Sequence, residues 1–200
     1  MEKVTNLQKL PNYNTYLLEL ISAVNKQDEK AINQIFNKID EELKKNRNAK
    51  RITTARSELK WNDPEAHFSA VQREEAADLK MEFDDNLGLF QLACLVQYKP
   101  VMTIEFAKMI KNLNDIRQRT NIKIERSKIS WLDPEAHFRG IKAEEKADLR
   151  NEINDLLSLY NIAQSANYTE GIELITTRLN EIAPNLVDDL TPKTNGTARK

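Results

Sequence analysis

The chain has only two histidines, His67 and His137, and both sit in the same local run of residues. An imidazole near a carboxylate is a common beginning for a metal site or an acid–base pair. Glu74 and Glu144 follow the two histidines at an interval of seven residues. That spacing puts each pair on one helix face but two turns apart, about 11 Å. A first-row metal needs three or four ligands at about 2.0–2.3 Å, so one helix cannot close such a site. The H-E-x-x-H and E-x-x-H patterns are also missing. No metal and no cofactor is therefore expected, and the histidines read as polar or helix-capping residues. The single cysteine, Cys94, lies in the apolar run L-A-C-L-V and reads as a small buried hydrophobe. It excludes an intrachain disulfide. There is no G-x-S-x-G elbow, and four glycines are too few for a phosphate-cradling loop. Acid pairs such as Glu74-Glu75, Glu144-Glu145 and Asp84-Asp85 read as a solvated face on a chain that is 30% charged. Enzymatic chemistry is not expected.

What surrounds the histidines is more informative. Trp61 to Leu79 reads W-N-D-P-E-A-H-F-S-A-V-Q-R-E-E-A-A-D-L, and Trp131 to Leu149 reads W-L-D-P-E-A-H-F-R-G-I-K-A-E-E-K-A-D-L. Of 19 aligned positions, 12 are identical, at an offset of 70 residues. This is an internal duplication. Asp63 and Asp133 suit a helix N-cap, Pro64 and Pro134 the first helical position, and Glu65 and Glu135 the positive helix end. Trp61, Trp131, Phe68 and Phe138 can cover the helices beneath as a staple. The same element can also present Trp61, His67, Trp131 and His137 as a bivalent surface for a partner, because tryptophan is a preferred interface anchor. The two roles are compatible.

Ahead of each tryptophan lies a basic connector. Lys44, Lys45, Arg47, Lys50, Arg51, Arg56 and Lys60 form the first. Arg117, Arg119, Lys123, Arg126 and Lys128 form the second. Two basic patches at a fixed interval could follow a phosphate backbone, which makes nucleic-acid binding the alternative function. The plainer reading, and the preferred one, is that these cations pair with acids on the long helices or are solvated.

Apolar residues at intervals of three and four predict the elements that carry these groups. Helices are expected over 13–25 and from about Glu29 to Arg47, with Asp28 as N-cap. A long helix starts at Pro64 and runs to about Val96, with a break possible near 69–74. Another helix follows Pro100, a second long helix starts at Pro134 with Gly140 as a weak point, and a last helix ends before Pro184. Asp28, Tyr98 and Tyr168 each open a helix at equal intervals. The chain thus reads as three helix–turn–helix pairs, 13–47, 79–119 and 149–183. In the last pair, Asn167-Tyr-Thr-Glu-Gly-Ile-Glu-Leu, Leu179 and Pro184-Asn185 resemble the second helix and exit of a tetratricopeptide repeat. The offset of 70 is close to twice that family's period of about 34 residues. The resemblance implies α-hairpins stacked side by side, burying their apolar stripes between neighbours.

The expected fold is therefore all-α, elongated, and built of tandem helical hairpins with an internal 70-residue duplication. One domain is expected over 1–184, with duplicated units near 28–97 and 98–167, and a disordered tail over 185–200. Few glycines, 6% aromatics and a mean hydropathy of −0.64 suit a helical chain with much solvated surface. Thirty basic and 31 acidic residues leave a net charge of −1, so no global field draws the chain to nucleic acid or membrane. No signal peptide and no apolar run of about 18–20 residues is visible, so a cytoplasmic location is expected. The expected function is protein binding, as an adaptor, chaperone or inhibitor.

Overall fold

The computed structural model describes residues 7–50, 64–120 and 134–184. Among these residues the chain is helical throughout and has no strand. After a short 3-10 turn at Leu7–Lys9 come α1 (Tyr13–Asn25), α2 (Glu29–Lys50), α3 (Pro64–Leu95), α4 (Lys99–Thr120), α5 (Pro134–Ser165) and α6 (Thr169–Ile182). Both long helices begin on the expected prolines, where a residue lacking an N–H costs no intrahelical bond. Neither breaks. Residues 69–78 and Gly140 lie within continuous helix, because an isolated glycine costs a helix only about 1 kcal/mol relative to alanine. α2 runs past its expected end at Arg47 to Lys50. Asp28 accepts a hydrogen bond from the Ala31 N–H at 3.0 Å, the cap expected of it.

Three junctions have the same backbone. Gln27, Gln97 and Asn167 have φ of 55°, 55° and 52°. The amide of the next residue, Asp28, Tyr98 or Tyr168, donates to the carbonyl of Ala23, Ala93 or Ala163 at 3.0, 2.9 and 2.8 Å. The amides of Gln27, Gln97 and Asn167 donate to Val24, Cys94 and Gln164. These paired bonds are a Schellman motif, which satisfies the last carbonyls of one helix and aims the chain into the next. The three alanines beneath are buried.

The chain divides into two compact units, Met1–Ile124 and Glu125–Lys200. In the first, α1 packs on α2, α3 on α4, and α2 also on α3. Leu20, Ile35, Phe36 and Ile39 form one part of its core, and Leu89, Phe90, Phe106 and Met109 another. Phe90 and Phe106 meet with ring centroids 5.5 Å apart. Each such side chain contributes about 1.5–3 kcal/mol on burial. Gly88 admits the 3-10 turn, since a Cβ there would stand 3.2 Å from Leu7 Cβ. In the second unit α5 packs on α6 around Leu156, Leu159, Ala163, Ile175 and Leu179. Position by position, Leu20, Phe90 and Tyr160 stand 70 residues apart, as do Ile39, Met109 and Leu179, and all six are buried.

Candidate functional site

The basic residues are the first candidates, because several of them lie in well-formed helices. Lys44 pairs with Asp40 one turn back at 2.7 Å and stays largely exposed. Arg47 points the other way, from α2 into α3, where its guanidinium meets Asp85 at 2.6 Å. The Asp85 side chain is only 6% exposed. Arg117 donates to Asn114 at 2.5 Å. Arg119 Nε lies 3.2 Å from Glu75 on α3, an ion pair by distance rather than an aligned hydrogen bond. Lys45 is exposed, and Lys50 closes α2. Arg51, Arg56, Lys123, Arg126 and Lys128 lie outside the described residues, as do Trp61 and Trp131. His67 and His137 fall in the first turn of α3 and α5, three positions after the opening proline, with side chains outside the description. Among the described residues no three of His, Cys, Asp and Glu are grouped to hold a metal ion.

Cys94 is half-buried on α3 rather than fully buried. Burial pushes its thiol up to about 11, so at neutral pH it stays protonated and is a poor nucleophile.

Several polar groups that sequence spacing did not single out are buried or partly buried between helices. Asn86 on α3 donates to Asn112 on α4 at 2.7 Å, with both residues inside the core. Seventy residues earlier, Tyr16 on α1 donates to Glu42 on α2 at 2.6 Å. The carboxylate beside it raises the Tyr16 hydroxyl above its ordinary pKa. Glu105 is the most exposed to cost. It occupies the position that Ile35 and Ile175 hold 70 residues on either side, and it is 5% exposed. Lys108 donates to its Oε1 at 2.7 Å, while Oε2 is buried without a hydrogen-bond partner. Burial raises its carboxyl above the usual range; Lys108 opposes that, Asp40 adds to it, and Lys44 again opposes. The signal was in the sequence: an acid interrupts the apolar stripe Met102, Phe106, Met109 at a position apolar in both counterparts.

Apolar side chains also remain outside. Phe138 on α5 is 64% exposed and Leu149 40%. Leu95, Ile104 and Leu174 near the helix junctions, and Leu18 and Ile21 on α1, are exposed as well. No described helix is long and apolar enough to cross a membrane. Comparison with family models, with curated proteins and with solved structures gives no match, so any function is argued from this geometry alone.

Proposed function

We propose that the chain is a protein-binding scaffold, a tandem series of helical hairpins that carries the duplicated W-x-D-P-E-A-H-F element as a repeated contact. The observation that supports this reading most is the set of exposed large apolar side chains, led by Phe138 beside His137 in the second copy of the element. Exposed apolar surface of this kind is characteristic of association sites. The alternative, nucleic-acid binding through the basic connectors, has less support. Of the described cations, Arg47 and Arg119 are paired to acids on α3 and Lys44 to Asp40, which leaves them less free to meet phosphate.

The test is capture of a partner from the native host, compared between the parent chain and the variants W61A and W131A. A binding role predicts loss of the partner with the melting temperature nearly unchanged. If the indoles are core instead, each substitution lowers stability by roughly 3–5 kcal/mol, as large core truncations do, and the element loses its role as a contact.

A further inference from the structure

α3 with α4, and α5 with α6, are built on one framework. Leu89 and Leu159, Ala93 and Ala163, and Met109 and Leu179 stand 70 residues apart, and all six are buried. The turns into α4 and α6 carry the same backbone bonds. By these positions alone, α6 suits α3 as well as α4 does, and α4 suits α5 as well as α6 does. A repeated apolar pattern does not by itself choose its partner.

Two places in the framework differ. Asn86 on α3 donates to Asn112 on α4 at 2.7 Å, and the two residues are 3% and 4% exposed. At the same positions the second unit has Leu156, buried, and Ile182, half-buried. One turn along α3 from Asn86, Phe90 meets Phe106 with ring centroids 5.5 Å apart. There the second unit has Tyr160, buried, and Thr176, half-buried, whose hydroxyl donates to the Ile172 carbonyl of its own helix. The first unit thus sets amide with amide and ring with ring. The second sets aliphatic with aliphatic and a ring with a small residue.

An exchange of partners spoils both arrangements. α3 against α6 sets Asn86 opposite Ile182 and Phe90 opposite Thr176. α5 against α4 sets Leu156 opposite Asn112 and Tyr160 opposite Phe106. Each exchanged pair buries one amide without its partner, and that alone disfavours it by about tenfold or more. The change in volume at the ring position acts in the same direction, since packed interiors tolerate neither a missing nor an extra ring.

We infer that Asn86 and Asn112, helped by Phe90 and Phe106, are partner-selecting residues: they keep α3 and α4 from exchanging helices with the equivalent pair of another copy of the chain. Selectivity is a difference between the right and the wrong pairing, and it is distinct from the stability of either. A duplicated chain has particular need of it, because every unfolded copy offers two versions of each helix. The inference does not depend on what the chain binds.

The test uses the full chain with and without an affinity tag. The two forms are unfolded together in urea and refolded by dilution, and the untagged copy retained with the tagged one is measured. Retention after mixing the two already folded forms is the baseline, and the parent is expected to stay near it. N86L/N112I gives both units the aliphatic match and is expected to retain at least about tenfold more, with a urea midpoint no lower than the parent's, because both amides leave together. L156N/I182N gives both units the amide match and is expected to raise retention as well. Combining the four substitutions makes the units different again, and retention should fall back towards the parent's value. Retention at the parent's level in both double variants overturns the proposal, since the asparagines then serve stability only. A rise with N86L/N112I that the combined variant does not reverse also overturns it, because added apolar surface rather than matching is then the cause.

Discussion

Arg47 and Asp85 form a nearly buried ion pair, and removing one partner leaves the other charge in a medium that solvates it poorly. R47M is expected to lower unfolding stability by about 3–5 kcal/mol in urea titrations, and the double variant R47M/D85L to recover most of that loss. A single variant no less stable than the parent would mean that water reaches Asp85. Glu105 presents the opposite case, a charge whose burial is only half compensated. Its folded carboxyl titrates above the 4.5 of an unfolded chain, so the group favours the folded state most below 4.5 and loses that contribution as pH rises through the folded value. E105Q should therefore raise the melting temperature at neutral pH, and the gain should shrink towards about pH 4, where the parent carboxyl is itself protonated. A gain that stays constant with pH would assign the effect to packing rather than to charge.

At the level of elements, the three Schellman turns put non-glycine residues in the left-handed region, which costs an L-residue roughly 1–2 kcal/mol. Q97G is expected to stabilise the first unit by about 0.5–1 kcal/mol, and Q97V to destabilise it, read by chemical denaturation. Equal stability of the two would mean the turn relaxes out of that region. Helix positions and types were largely readable in advance. The starts at Pro64 and Pro134, the apolar stripes and the end before Pro184 act over one or two turns, and local rules see them. The turn conformation was not readable at Gln27 and Gln97, because glutamine is no marker for positive φ; the bonds from Asp28 and Tyr98 back to Ala23 and Ala93 reveal it there. The buried polar pairs were hidden for a similar reason. Asn86 and Asn112 are ordinary surface residues until two helices bring them within 2.7 Å. The candidate site was legible only in part: the exposure of Phe138 and Leu149 on α5 depends on how helices pack, which the local sequence pattern does not contain.

For the molecule as a whole, the net charge is −1, and among the described residues Arg47, Arg119 and Lys44 are paired with acids. The chain is expected to leave immobilised duplex DNA or RNA by about 0.1 M salt, because each neutralised phosphate steepens the salt dependence and Arg47, Arg119 and Lys44 already face acids. Retention well above that salt, lost when Lys44, Lys45, Arg47, Lys50 and Arg51 are replaced by glutamate, would move the function to nucleic acid.

The repeated turn has a further consequence, for how such a chain can change length. The turn is held by bonds that reach back no further than five residues, from Tyr98 to Ala93 or from Asp28 to Ala23. A splice that joins Gln27 directly to Tyr98, or Gln97 to Tyr168, keeps every one of those bonds while removing 70 residues. The reverse exchange adds 70. Positions 27, 97 and 167 are thus crossover points, at which unequal recombination alters the number of helix pairs but leaves each junction chemically the same.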